Sequence, residues 1–424
     1  NTWTLLAGGP ANINRLAVAT NGTLYVSHQT GISKYAGGAW SHYVPGGTAV
    51  SFNGLSVNRN NSEEVIVAEG EANATKIYRT LNGGANWTLI SPSRVNTVPW
   101  LDNFRIGNPR VAPLVFDPAV PGRVWLGDWY GIWRTDNINI HPPVFTNHVQ
   151  GLEECVVFAL AAPESGPLLL SGVADNDGFR HATDLRSIPT KRLGISGLST
   201  PQETYGFAIF GANPNHIVRA CGGRNGPFHI TVSSDGGLNW TNTSWQTAVP
   251  GTRALRVAVS ASDFNNIVAV TDRSLATAGL PDAGVARCTL DGGASWLLVS
   301  GLPDGPSGPF YNGQPLASDS ETGGAFYYHD GPSGKLFRSL DGGLNFSQVN
   351  TGSLLPTNNA PIALKTRPGA TGELWTCLDT LGLYRSVNGG VSFTAVPKVL
   401  RAYRIAFGKA PPGSSTPALI FTAK

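Results

Sequence analysis

Ser233-Ser-Asp-Gly-Gly-Leu-Asn-Trp240 is the stretch on which the fold turns. Its pattern is Ser or Thr, any residue, Asp or Asn, two glycines, two further residues, then Trp or Phe. The pattern returns at Thr80-Leu-Asn-Gly-Gly-Ala-Asn-Trp87, Thr289-Leu-Asp-Gly-Gly-Ala-Ser-Trp296, Ser339-Leu-Asp-Gly-Gly-Leu-Asn-Phe346 and Ser386-Val-Asn-Gly-Gly-Val-Ser-Phe393. An Asp or Asn side chain at the third place accepts N–H bonds from the turn that follows it. The glycines supply positive φ, and the aromatic residue returns to pack between layers. The pattern therefore predicts a hairpin whose acid holds a turn; it is a structural signal and a poor chemical one.

Outward from these copies, degenerate ones lie near Ser33 to Trp40, at Thr135-Asp136 and at Thr183-Asp184. Successive starts at 33, 80, 135, 183, 233, 289, 339 and 386 are 47 to 56 residues apart, the size of a four-stranded propeller blade. Two β-like runs rich in Val, Ile, Leu and Phe precede the boxes, as at Arg110 to Phe116 with Arg123 to Gly127, and Tyr205 to Gly211 with His216 to Ala220. Tyr403 to Phe407 and Ala418 to Thr422 read as the first two strands of one more blade. Asn1 to Leu6 reads as the strand that follows a box, and joining the termini would close a ring. The expectation is an all-β Asp-box β-propeller, one domain over residues 1–424. It is a single ring of seven to nine four-stranded blades, nine by count, closed by the N- and C-terminal strands.

Composition narrows the function classes. Hydrophobic residues make up 41% and charged residues 13%, with 52 Gly and 30 Pro, which supports a packed core and excludes disorder. The net charge of +3 comes from 30 basic and 27 acidic residues, with no clustered run of one sign, so no nucleic-acid footprint is expected. No apolar stretch approaches the roughly 18 residues of a membrane helix. The chain begins at Asn1 and has no Met, so a removed leader and an extracellular, secreted protein are expected. Asn-x-Ser/Thr occurs at Asn21, Asn60, Asn73, Asn86, Asn239, Asn242 and Asn345; Asn86, Asn239 and Asn345 belong to the repeat itself. Cys155, Cys221, Cys288 and Cys377 lack Cys-x-x-Cys spacing, which excludes a zinc site; two disulfides or buried free thiols both fit. Asp175-Asn-Asp177 lacks the downstream ligands of a calcium loop. There is no His-Glu-x-x-His, Gly-x-Ser-x-Gly or Walker loop. No metal or cofactor is expected, and the chain is read as a monomer.

Between the boxes the chain resembles glycoside hydrolase family 74, the two-propeller xyloglucan hydrolases. The likeness is carried by Phe52-Asn-Gly-Leu-Ser-Val57 with Glu64-Val-Ile-Val-Ala-Glu69, then Val98-Pro-Trp-Leu101 and Gly151-Leu-Glu-Glu-Cys-Val-Val157. It continues through Ser171-Gly-Val-Ala-Asp-Asn-Asp-Gly-Phe-Arg-His181 and Ile405-Ala-Phe-Gly-Lys-Ala410 with Pro417-Ala-Leu419. The chain matches the end of that family's first propeller and all of its second, and lacks the early blades of the first. The resemblance implies an inverting hydrolase of a β-glucan, with one carboxyl donating a proton and a separated one activating water. Asp175 matches the family's acid. The base segment has no equivalent: its nearest look-alike, Ser27-His-Gln-Thr-Gly31, places Gln29 where a carboxylate is needed. The other reading is a non-catalytic, lectin-like carbohydrate-binding propeller that has lost the base, and a third is a protein-binding propeller.

The site residues follow from that reading. Asp175 is the candidate acid, with Asp177 and His181 tuning it; an Asn- and Asp-rich turn is the plain alternative. Glu153 and Glu154 open the same blade, where a solvated loop suits them. Sugar rings stack on flat aromatics, and Trp100, Trp129 and Tyr130 fall on loops suited to that, whereas Trp125 and Trp133 belong to the core. Asp102 and Asp128 lie beside them as replacement bases or substrate contacts. Phe104-Arg-Ile-Gly107 is similar to a sialidase signature but follows a box and lacks its Pro, which argues against that chemistry.

Overall fold

The structure, a computed structural model, describes residues 2, 4–70, 76–101, 113–128, 131–152, 155–278, 280 and 282–423. It is β almost throughout: among the described residues, helical turns are confined to Pro45–Gly47, Trp245–Ala248 and Arg273–Ala278. The chain forms two compact units, Asn1–Glu154 and Cys155–Lys424.

Among the described residues the first unit holds three sheets. Ile13–Val18, Leu24–His28, Gly31–Ala36 and Ala39–Tyr43 make the first, and Phe52–Asn58, Asn61–Glu69, Ile77–Thr80 and Thr88–Ile90 the second. The third runs Leu114–Phe116, Val124–Gly127, Ile132–Thr135 and Val144–Asn147, with Ser93–Val95 added in parallel at its edge. In the second unit the fourth sheet has three strands, Val157–Ala161, Leu169–Val173 and Gly178–His181. The fifth is Glu203–Ile209, Ile217–Gly222, Phe228–Ser233 and Thr241–Asn242. The sixth is Ala254–Val259, Ile267–Thr271, Arg287–Thr289 and Leu297–Leu298. The seventh is Leu316–Ser318, Phe326–Asp330, Lys335–Ser339 and Ser347–Gln348; the eighth is Ala363–Thr366, Leu374–Cys377, Leu383–Ser386 and Thr394–Ala395. Ala402–Gly408 and Ala418–Ala423 form the ninth. Leaving aside Ser93–Val95, strand order in each sheet is chain order and every pair is antiparallel, the meander a propeller blade requires.

Each of the five full repeats begins on the last residue of a third strand and turns the chain into the fourth. Asp291 Oδ1 accepts from Ser295 N at 2.9 Å and Thr289 Oγ1 at 2.7 Å, while Gly293 N donates to Thr289 Oγ1 at 2.9 Å. Asp235 and Asp341 each take two such backbone bonds, and Asn82 and Asn388 one. The second glycine of the turn has positive φ and also sits against the preceding sheet. A Cβ at Gly84 would fall 2.7 Å from the Tyr43 ring, at Gly293 2.7 Å from Thr243, at Gly343 2.2 Å from Val268 and at Gly390 1.9 Å from Leu336. The aromatic residue fills the same seam: Trp240, 1% exposed, packs with Leu170, Leu193 and Ile217.

Two expectations change. The fourth sheet lacks a fourth strand; its degenerate repeat forms a local turn in which Asp184 accepts from Arg186 N at 2.9 Å and Ser187 Oγ at 2.8 Å, and Pro189 follows with no N–H to offer a ladder. The N-terminal segment is not a strand at its described residues, since Thr2 and Thr4 to Leu6 lie in none. That segment is tied instead to the first sheet, where Trp40 Nε1 donates to the Ala7 carbonyl at 3.2 Å and Gly9 lies against the indole. Of the two cysteine readings, free thiols hold: Cys221, Cys288 and Cys377 are buried and Cys155 half-buried.

Candidate functional site

The turn between the second and third strands of the fourth sheet carries the acid candidates. It is only four residues long, closed by Val173 N donating to the Asp177 carbonyl at 3.0 Å. Its tightness forces Asp175 and Asp177 to φ of 63° and 62°, a conformation Asp tolerates better than most residues. The two side chains then part. Asp177 is fully buried; Oδ1 accepts from Arg219 Nη1 at 2.9 Å and Thr204 Oγ1 at 2.7 Å, and Oδ2 from Gly194 N at 2.7 Å. Burial pushes its carboxyl up, and Arg219, Thr204 and Gly194 pull the other way. With no exposed atom and both oxygens occupied, Asp177 touches no substrate; it anchors the turn to the fifth sheet.

Asp175 keeps 24% of its side chain exposed. Its Oδ1 accepts from Gln202 Nε2 at 2.8 Å and lies 3.5 Å from Arg224 Nη2. Arg224 donates Nε at 3.2 Å and Nη2 at 2.9 Å to Glu203 Oε1, and Tyr205 Oη donates to Glu203 Oε2 at 2.5 Å. Burial works against the Arg224 charge, yet Glu203 and Asp175 outweigh it and hold the guanidinium above its ordinary value. Burial and Glu203 together push the Tyr205 phenol far up. The Arg224 carbonyl accepts from Arg253, whose Nη1 meets Asp272 at 2.5 Å. Beside this chain of contacts opens a cleft of 620 Å³ walled by Arg224, Phe228, Gln246, Arg253, Leu275 and Pro309.

His181 closes the third strand of the fourth sheet. Its Nε2 pairs with Ser171 Oγ at 3.2 Å, its Nδ1 is buried without a partner, and burial lowers its pKa. Its bonded partner is thus Ser171 and not Asp175. In the first unit, Asp128 accepts from Trp133 Nε1 at 3.1 Å, and Trp100 is half-buried beside the buried Leu101. Trp133 is fully buried, as expected of a core residue; Trp125 is half-buried, its Nε1 on Asp117 at 3.1 Å. Trp129, Tyr130, Asp102, Glu153, Glu154 and the Phe104 to Gly107 segment lie outside the described residues. Gln29 is exposed on the turn between the second and third strands of the first sheet, the place Asp175 holds in the fourth.

No family model matches the chain. Over its whole length it is 28% identical to a xyloglucanase of Paenibacillus sp and 27% identical to xyloglucanase Xgh74A of Acetivibrio thermocellus, covering 44% and 52% of those proteins. The chain is similar to the glycoside hydrolase family 74 xyloglucanases. It spans about half the length of the curated relatives it matches. The crystal structure of a Niastella koreensis GH74 enzyme matches this xyloglucanase-like chain with a TM-score of 0.81 at 22% identity, covering 99% of it and 60% of that protein. The GH74 xyloglucanase of Xanthomonas campestris gives 0.78 at the same identity and coverage; both show the fold.

Sequence reasoning passed over Gln202, Glu203 and Arg224 in this xyloglucanase-like chain. Their one available signal was position: Arg224 sits on the turn between the second and third strands of the repeat after the one that carries Asp175.

Proposed function

We propose that this protein is a secreted glycoside hydrolase of xyloglucanase type, acting on a β-glucan such as xyloglucan, with Asp175 as general acid. The observation that carries the reading is the turn itself. Of the two carboxylates it presents, one is buried and bonded to saturation, and the other faces solvent beside a cleft-lining arginine. Gln202 and Arg224 fix the Asp175 carboxyl on one oxygen, leaving Oδ2 free to address a leaving-group oxygen. Similarity to xyloglucanases along the whole chain supplies the substrate class. Trp100, Trp129 and Tyr130 serve as stacking platforms, and Asp128 and His181 as further substrate contacts. We read the nine sheets as Asp-box propeller blades of one monomeric domain.

The water-activating carboxylate is not among the groups bonded around Asp175. Asp177 is buried, and Glu203 is fully buried with both oxygens occupied. That observation favours a second reading, a carbohydrate-binding propeller without hydrolysis. One experiment separates them. Asp175→Asn keeps a side chain suited to positive φ and loses the proton. If Asp175 is the acid, sugar release from xyloglucan by the wild type falls by about 10²–10⁴-fold in the variant while the melting temperature holds. Binding without release from any glycan would leave only the lectin-like reading.

A further inference from the structure

The first strands of the second unit carry positive charge that neither the acid turn nor a neutral glucan uses. Arg256 follows the bulge in Ala254–Val259 and is 6% exposed. Its guanidinium meets no carboxylate among the described residues. Nη1 donates to the carbonyls of Tyr205 at 2.7 Å and Leu255 at 2.5 Å, Nε to Gly313 at 2.6 Å, and Nη2 to Tyr311 at 2.7 Å. Neutral carbonyls satisfy the donors and leave the charge uncompensated.

The segment that Arg256 holds also borders a second cation. Gln314, next to Gly313, bridges to Ala363, and its carbonyl accepts from Leu364 N at 2.8 Å, so Lys365 follows directly. Lys365 is half-buried; its backbone belongs to the ladder with Trp375, and among the described residues its ammonium makes no hydrogen bond or ion pair. The neighbouring first strand, Ala402–Gly408, packs on Ala363–Thr366 and supplies Arg404, which follows the same bulge as Arg256. Its Nη1 donates to the adjacent Tyr403 carbonyl at 2.8 Å, and no acid pairs with it among the described residues. The Tyr311 hydroxyl lies against Gly313, where a Cβ would fall 2.2 Å from it. Asp330, the carboxylate whose field reaches Tyr311, accepts from Ser333 Oγ on Oδ2, and its charge sets the one opposing field at that hydroxyl among the described residues. The cations sense one another: burial and then Arg256 lower Lys365, while burial pushes Arg256 down to about 10 with Arg404 adding to the shift.

We infer that Lys365, Arg404 and the Tyr311 hydroxyl, with the Arg256 charge behind them, form a binding site for a small tetrahedral oxyanion. Two flexible or forked cationic donors and a phenol O–H suit the geometry of sulfate or inorganic phosphate, and the anion supplies the charge the cluster lacks. Titration calorimetry of the full chain with sodium sulfate at constant ionic strength tests this. One saturable site is expected, absent with acetate or chloride, and weakened about tenfold in Lys365→Met and more in Lys365→Met with Arg404→Met. Methionine keeps the apolar stem, so in chloride the variants should melt no lower than the wild type, because an uncompensated half-buried charge has been removed. Sulfate binding no tighter than chloride, equal binding by the double variant, or a lowered melting temperature in chloride would each overturn the assignment.

Discussion

Asp175 and Asp177 share one turn and one backbone conformation, yet only Asp177 has an arginine fully buried against it. Arg219→Met should therefore cost about 3–5 kcal/mol in urea unfolding, because it strands a buried carboxylate; a loss under 1 kcal/mol would show that the pair is dispensable. The repeat acids behave differently. Hydrogen bonds from Ser295 Oγ, Thr289 Oγ1 and Ser295 N hold the Asp291 carboxyl far below its ordinary value. A carboxyl lowered on folding stabilises the native state above its unfolded pKa, near 4, and that contribution fades as pH falls further. Asp291→Asn should accordingly flatten the fall in melting temperature below about pH 4; an unchanged slope would contradict the assignment. Burial pushes the thiols of Cys221 and Cys288 up to about 11 and Cys377 up to about 12, so native protein should react with a thiol reagent at Cys155 first and at the other three only on unfolding. Asp175 was legible because it sits in a contiguous quotable segment. Gln202, 27 residues away, was not, because its contact exists only once two repeats lie side by side.

At the scale of the element, the repeat could be read because its turn is local chemistry. Ser or Thr, Asp or Asn and glycine within five residues specify the hairpin, and in the five full repeats the third strand ends on the Ser or Thr that opens it. Where the pattern degenerates, at Thr183-Asp184, a bonded turn survives but no fourth strand follows. The missing strand was invisible because spacing alone suggested a blade. The second glycine allows a sharper test. Gly343→Ala brings a methyl against Val268 and places a side chain at φ 89°; about 2–4 kcal/mol should be lost in urea unfolding. Gly352→Ala, with open space around it and no positive φ, is the control. Equal losses in the two variants would refute the close-packing account.

For the whole molecule, periodicity predicts which strands are neighbours and carries no mark of where compact units divide. The step from the third repeat to the fourth is 48 residues, much like any other in sequence, yet the compact units meet at residue 154. A single domain over 1–424 predicts one calorimetric transition with matching van't Hoff and calorimetric enthalpies; two transitions would assign the units to separate domains. The glycine seams bear on how damage spreads through either arrangement. In each of these seams the second glycine of a turn packs on the sheet before it. Such an arrangement behaves as a ladder of pairwise joints, so a lesion at one joint should expose amides first in the two sheets that it links.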